Sequence, residues 1–192
     1  ARALRAALAD HDLSLGCNSC RWAGEHGNDA TIARLYDEYE PAGGEPARPT
    51  RMTFALSNRC NLECVMCNGE LSSRIRAREG RRPLVSPYGE GFFAELDAWL
   101  PHLTQASFLG GEPFLAAENH RIWERLGELG GTTRCAVVTN ATRFDARVEA
   151  VLDALAFDVT VSLDGVTAAT VESLRRNLDF GEAVEHARRF RE

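Results

Sequence analysis

The sequence lacks the long apolar run that a membrane-spanning helix requires. None of its apolar stretches reaches the length of about 18 residues that marks such a helix. Residues 1–10 also lack the apolar core of a secretory signal. These absences predict a soluble protein that works in the cytoplasm and has no membrane partner.

Positive charge is not in excess either. The 192 residues carry 22 Lys and Arg against 28 Asp and Glu, a formal net charge of −6. Because non-specific binding to nucleic acid needs a basic surface that neutralises phosphates, nucleic acid is not an expected partner. A run of arginines at residues 74–82 is interpreted as a solvated helix face.

Common catalytic motifs are missing as well. The five histidines form no H-x-x-x-H or H-E-x-x-H pattern, and no phosphate-binding glycine loop occurs. No Ser/His/Asp set can be placed from the sequence. His120, near Trp123, is expected on the surface or in packing rather than in catalysis.

The sequence does contain closely spaced cysteines. Cys60, Cys64 and Cys67 have the spacing C-x-x-x-C-x-x-C and follow a predicted strand at residues 52–56. Three thiolates can hold three irons of a [4Fe–4S] cluster and leave the fourth iron open to a non-protein ligand. A structural zinc site is normally closed by four protein ligands. The odd number of cysteines therefore favours an iron–sulfur cluster.

A second pair, Cys17 and Cys20, follows a predicted short helix at residues 1–9. The pair could be half of a zinc site, ligands of a second iron–sulfur cluster, a redox pair or two unligated thiols. The redox interpretation is the least favoured because no strand precedes the pair. Two cysteines cannot complete a four-iron cluster, so further ligands would lie outside the chain or include Cys135.

Three parts are predicted along the chain. Residues 1–40 form a small helical segment that contains the second cysteine pair, and residues 41–50, rich in proline and glycine, form a linker. Residues 51–192 form the main domain. Because the chain stops within a charged helical pattern, we expect it to be part of a longer protein.

In the main domain, strand patterns alternate with helix patterns. The strands are predicted at residues 52–56, 105–109, 134–139 and 157–163, and the helices at residues 91–103, 114–129, 143–155 and 171–191. This alternation gives a parallel sheet with right-handed crossovers, whose strand ends converge on one rim. The predicted fold class is therefore α/β, with about four βα units.

Candidate ligand-binding residues follow three of these strands. Gly110, Gly111, Glu112 and Pro113 form a turn after the second strand, and two adjacent glycines let the backbone approach a ligand. Asn140 follows the third strand, where it could face the rim or cap the next helix. Ser162 lies in the run Val-Ser-Leu-Asp-Gly at the end of the fourth strand.

The three cysteines, the Gly-Gly-Glu-Pro turn and the Ser162 run together resemble the radical S-adenosylmethionine (SAM) enzymes over about residues 50–192. The resemblance implies a partial (βα) barrel of the TIM type, two strands short of the family's six. It also implies a [4Fe–4S] cluster whose open iron binds the amino and carboxylate groups of SAM. One electron then cleaves SAM to a 5′-deoxyadenosyl radical.

The resemblance assigns roles to individual residues. The Gly-Gly-Glu-Pro turn would receive the ammonium group of SAM, with Glu112 as acceptor. Ser162 and an arginine of the following helix, Arg175 or its neighbour Arg176, would contact the SAM carboxylate. Asn140 would face the same site.

Cys17 and Cys20 resemble the tail of a SPASM/Twitch domain, although such a domain more commonly follows the core. This implies a second iron–sulfur cluster. Members of that subgroup frequently modify ribosomally made peptides, so a peptide, protein or small-molecule substrate is expected, with flavodoxin or ferredoxin as electron donor.

Two other hypotheses are kept. The chain could be a zinc-stabilised, non-catalytic α/β binding module with a four-thiolate site made by Cys17, Cys20, Cys64 and Cys67. It could also bind a cluster without catalysing a reaction.

Overall fold

The computed structural model describes residues 48–191, together with residues 3, 6, 7, 10, 12, 14, 15 and 18–27. The chain divides into two compact units, Ala1–Ala47 and Arg48–Glu192. In the first unit, helix α1 spans Asn18–Glu25. Cys17, the side chain of Cys20 and residues 28–40 of the predicted helical segment lie outside the described residues. No described helix is both long and apolar enough to span a bilayer.

The second unit alternates strands and helices in the predicted order. Its elements are β1 Arg51–Phe54, β2 Glu63–Cys64, α2 Ser73–Arg78, α3 Glu90–Leu96, β3 Gln105–Phe108, α4 Ala117–Glu128, β4 Arg134–Thr139, α5 Ala146–Ala154, β5 Phe157–Val161, α6 Ala168–Leu174, β6 Arg175–Arg176 and α7 Phe180–Arg189. Short 3₁₀ turns span Leu100–His102 and Pro113–Leu115.

Four strands form one parallel sheet in the order β1-β3-β4-β5. Met52 lies opposite Ala106, Ala106 opposite Cys135, and Val137 opposite Val159. These are the four strands predicted from the sequence, and the α/β prediction with parallel strands is confirmed. Because the strands run in one direction, their carboxyl ends meet at one edge.

The main hydrophobic core lies between the sheet and its crossover helices. Ile122, Trp123 and Leu126 are buried on one face of α4 at helical spacing. The Trp123 ring packs edge-on against Phe108, with 5.0 Å between ring centroids. Phe108 in turn stacks on Phe54 at 5.2 Å. The aromatic contacts link α4 to the centre of the sheet.

The single helix predicted at residues 171–191 is wrong. The chain instead forms α6 and α7, separated by β6 and a turn in which Asn177 has a φ of +71°. Asp179 then caps α7 by accepting a hydrogen bond from the backbone N–H of Glu182 at 2.9 Å. The helix α6 ends at Leu174. The Asn-Leu-Asp sequence then turns the chain from β6 into α7, because Asn tolerates the left-handed region.

The break creates a small antiparallel sheet that the sequence analysis missed. Glu63 lies opposite Arg176 and Cys64 opposite Arg175. Beside it, a second hydrophobic cluster contains Leu62, Ala141, Val171, Leu178 and Ala183. The loop that carries Cys60, Cys64 and Cys67, called the cysteine loop, is thus supported by residues more than a hundred positions later in the chain.

Candidate cofactor site

The three closely spaced cysteines lie on one loop, and all three are free thiols of intermediate exposure. The first residues of α2 brace this loop. The backbone N–H of Cys60 donates to Ser73 Oγ, and the Ser73 hydroxyl donates to the carbonyl of Cys60, both at 3.1 Å. The Ser72 hydroxyl donates to the carbonyl of Leu62 at 2.7 Å. The thiols are therefore held on a fixed backbone.

The thiols lie in a region that disfavours their ionised form. Burial raises the pKa of Cys60, and the nearby Glu112 carboxylate acts in the same direction. Burial also raises the pKa of Cys64, against the lowering effect of Arg175. Because metal ligands must be thiolates, a positively charged metal centre would displace protons from this loop.

The loop offers three thiols as donors. Within the described part of the chain, no group of three His, Cys, Asp or Glu side chains is arranged to hold one metal ion. A [4Fe–4S] cluster binds each thiolate through a different iron, and three cysteines are the donors for three of its irons. The number and kind of these donors fit such a cluster, and their binding to it stays a prediction.

The Gly-Gly-Glu-Pro turn packs directly on the cysteine loop. Gly110 and Gly111 have φ angles of +83° and +46°. A Cβ on Gly111 would lie 2.4 Å from the carbonyl oxygen of Arg59, so only glycine fits there. The backbone N–H of Glu112 donates to the same carbonyl at 2.7 Å. Two motifs that are about fifty residues apart in sequence are in contact here.

The carboxylate of Glu112 connects this turn to β4. It is 1% exposed and accepts hydrogen bonds from the Thr139 hydroxyl at 2.7 Å and the backbone N–H of Asn140 at 2.8 Å. Burial raises the pKa of Glu112 despite these donors. Oε1 also accepts from the backbone N–H of Phe114 at 3.3 Å, whereas Oε2 keeps further acceptor capacity. Binding of the SAM ammonium by Glu112 stays a prediction.

Two buried side chains of α4 hold the 3₁₀ turn that begins at Pro113. Asn119 Nδ2 donates to the carbonyl of Pro113 at 3.1 Å, and His120 Nε2 lies 2.9 Å from the carbonyl of Phe114. The Phe114 carbonyl can only accept, so His120 carries its proton on Nε2. His120, which the sequence analysis placed on the surface or in packing, is buried and supports the turn through this bond.

Asn140 faces the cysteine loop and does not cap the next helix. Asp145 caps α5, because its Oδ1 accepts from the backbone N–H groups of Arg147 and Val148, each at 3.1 Å. The side-chain amide of Asn140 instead lies 3.8 Å from Cys60 Sγ. Of the two interpretations of Asn140, the helix cap is therefore wrong.

Arg175 also reaches the cysteine loop, although from β6 rather than from the expected helix. Its Nη2 pairs with Asp164 at 2.7 Å, and its Nη1 lies 4.0 Å from Cys64 Sγ. Its buried Nε has no partner among the described residues. A buried guanidinium donor left unpaired suits an anionic ligand such as a carboxylate.

Ser162 directly follows β5, and its backbone N–H donates to the carbonyl of Thr139 at 2.9 Å. The structure thus brings the predicted site residues to the carboxyl edge of the sheet: Cys60, Cys64, Cys67, Gly110, Gly111, Glu112, Pro113, Asn140, Ser162 and Arg175. Their roles toward a cofactor stay predictions.

The basic run is largely paired with acidic residues. Arg74 and Arg78 contact Glu63 at 3.2 and 2.8 Å. Arg76 and Arg81 contact Glu70. Glu63 lies in β2, so part of the run braces the cysteine loop, a role that the sequence analysis missed.

Comparison with known proteins identifies the family of the chain. The sequence model of the Radical SAM superfamily matches residues 54–192. GTP 3′,8-cyclase of Aquifex aeolicus (strain VF5) is 27% identical over 143 residues, which cover 72% of this chain and 43% of that protein.

Solved structures give the same fold. Streptococcus suis SuiB bound to its precursor peptide SuiA superimposes with a TM-score of 0.55 at 16% identity, over 88% of this chain and 42% of that one. SuiB bound to S-adenosylmethionine superimposes with a TM-score of 0.55 at 16% identity, over 98% of this chain and 41% of SuiB. The chain spans less than half the length of these relatives. With the match over residues 54–192, the chain belongs to the radical SAM superfamily.

Proposed function

We propose that the chain is the cofactor-binding core of an enzyme that reductively cleaves SAM at a [4Fe–4S] cluster. The observation that carries this proposal is the contact between the two motifs, in which the N–H of Glu112 binds the carbonyl that precedes Cys60. When bound, the cluster and SAM would supply an electron and a 5′-deoxyadenosyl radical, respectively. Family membership argues against the non-catalytic zinc module.

The chain's own residues would bind and orient these cofactors. Cys60, Cys64 and Cys67 would hold three irons, and the glycine turn would let the methionine ammonium approach Glu112. Arg175 and Ser162 would hold the methionine carboxylate, for which the unpaired Nε of Arg175 offers a buried donor.

For the substrate we propose a peptide or protein side chain. The support is the fold shared with SuiB, which was solved with a precursor peptide. GTP 3′,8-cyclase, as its name states, acts on a nucleotide, so the family also accommodates small substrates. We further propose that Cys17 and Cys20 in residues 1–40 contribute to a second cluster, and that flavodoxin or ferredoxin supplies electrons in the cytoplasm.

The test is anaerobic reconstitution with iron and sulfide, followed by electron paramagnetic resonance (EPR) of the reduced protein with and without SAM. We expect a [4Fe–4S]⁺ signal that changes on addition of SAM, and 5′-deoxyadenosine after treatment with dithionite. Cys60→Ala should lose the signal that responds to SAM, whereas Cys135→Ala should keep it, because Cys135 is buried in the core away from the loop. Zinc bound in place of iron, and retained in Cys60→Ala, would contradict the proposal.

A further inference from the structure

The side-chain amide of Asn140 is buried against a cysteine sulfur. Asn140 is 6% exposed, and its Nδ2 lies 3.8 Å from Cys60 Sγ and 3.3 Å from Asn61 Oδ1. An amide N–H at this distance can donate a weak hydrogen bond to sulfur, which is a large and diffuse acceptor. No other side chain contacts Cys60 Sγ through a hydrogen bond in the described residues.

Hydrogen bonds to Oδ1 fix the orientation of the Asn140 amide. Asn140 Oδ1 accepts hydrogen bonds from the Thr142 hydroxyl at 2.6 Å and from the backbone N–H of Thr142 at 3.0 Å. Since a backbone N–H can only donate, this end must be the oxygen, and the NH₂ group must face Cys60. The backbone of Asn140 is held in turn by Glu112.

We propose that Asn140 donates a hydrogen bond to the Cys60 thiolate and thereby raises the reduction potential of the bound cluster. A donor to a ligating sulfur stabilises the reduced cluster more than the oxidised one, because reduction adds negative charge that the sulfurs share. The inference rests on the proposed function. It concerns one-electron uptake by the cluster from a low-potential donor, with no bond made or broken.

Asn140 acts through Cys60 and is a positioning residue in this scheme. A residue that only contacts SAM would leave the potential of the SAM-free cluster unchanged. The redox titration without SAM therefore separates the present inference from a cofactor-contact role for Asn140.

The test measures the midpoint potential of the reconstituted, SAM-free protein by EPR-monitored titration with dithionite. Asn140→Leu removes the donor at similar volume, and Asn140→Asp replaces it by an acceptor. We expect the equilibrium constant for reduction to fall about tenfold in Asn140→Leu, a shift of about 59 mV to lower potential for one electron. Asn140→Asp should shift it at least as far.

Asn58→Leu is the matched control. Its amide also braces the cysteine loop, by donating to the carbonyl of Gly69 at 3.2 Å, but it makes no hydrogen bond to a cysteine sulfur among the residues that the structure describes. Its potential should equal that of the wild type. Thr142→Val removes the hydroxyl donor to Asn140 Oδ1 but keeps the backbone N–H donor, so it holds the amide less firmly and should give a smaller shift of the same sign.

An unchanged potential in both Asn140 variants, with the cluster present, would overturn the inference alone. Failure of the wild-type protein to take up a cluster would overturn the proposed function as well. Loss of the cluster from both Asn140 variants, with an unshifted potential in Thr142→Val, would assign Asn140 to loop folding and also overturn the inference.

Discussion

Glu112 joins two strand ends through a single buried carboxylate. Glu112→Gln replaces one carboxylate oxygen by an NH₂ group, so the backbone N–H of either Phe114 or Asn140 loses its acceptor. Because an unsatisfied buried polar group costs about 1–3 kcal/mol, we expect the free energy of unfolding to fall by about that amount. Urea denaturation measures it. Glu118→Gln, at a half-buried position in the first turn of α4, should change it by less than about 0.5 kcal/mol.

His120 makes stability depend on pH. Burial lowers its pKa from the usual 6.5, so the folded state keeps it neutral while the unfolded chain binds a proton below that pH. Stability should therefore fall as the pH drops from 6.5 towards the folded-state pKa, by up to about 1.4 kcal/mol per pH unit.

His120→Gln should lose this component of the pH dependence, and the exposed His26→Gln should keep it. Urea midpoints at pH 7.5 and pH 5.5 give the comparison. Equal pH dependence in wild type and His120→Gln would show that His120 titrates freely.

For single residues, the sequence indicated which ones form the candidate site but not which residues they hydrogen-bond to. The cysteine spacing and the Gly-Gly-Glu-Pro turn were visible, because each is a local pattern. The bonds from Glu112 to Thr139 and from Asn140 to Cys60 span 27 and 80 residues. Only the paired strands bring those atoms together.

Among the structural elements, the glycine turn leaves no space for a side chain at Gly111. Gly111→Ala would place its Cβ 2.4 Å from the Arg59 carbonyl at a φ of +46°. We expect it to displace the chain before Cys60 and to reduce iron uptake to a small fraction of the wild-type amount. Gly80→Ala is the matched control, since Gly80 has a φ of +67° but nothing within 4 Å of a Cβ.

Left-handed backbone strain destabilises both variants by about 1–2 kcal/mol. Only Gly111→Ala adds a steric clash with the Arg59 carbonyl. Iron per chain after reconstitution and urea unfolding distinguish the two effects. Equal iron content in the two variants would contradict the role given to the turn.

The periodic elements were predictable and the short ones were not. The four parallel strands and α4 carry hydrophobic patterns long enough to detect. The pair β2 and β6 has two residues in each strand, too few for any periodicity. The predicted helix at residues 171–191 failed because its apolar spacing continues across the Asn177 turn.

The second unit as a whole contains two hydrophobic clusters that stabilise different parts of it. One cluster holds the sheet together, and the other supports the cysteine loop. Leu126 and Leu62 are equally buried members of the respective clusters. Substitution of a buried Leu by Ala lowers the free energy of unfolding by about 2–5 kcal/mol in either cluster. The two variants should therefore differ in which part of the unit becomes less stable.

Hydrogen exchange measures this difference. Leu62→Ala should accelerate exchange in residues 60–67 and 171–178 while the sheet stays protected. Leu126→Ala should accelerate exchange throughout the sheet. A uniform effect from Leu62→Ala would mean that the two clusters unfold as one.

The pairing of β2 with β6 sets an order of events during synthesis. All three loop cysteines leave the ribosome before the strand that pairs with Cys64, which is made 111 residues later. Until Arg175 and Arg176 have emerged, the nascent chain has its sulfur ligands but not the strand that shapes their loop. The loop can therefore take its folded shape only after Arg175 and Arg176 have been made.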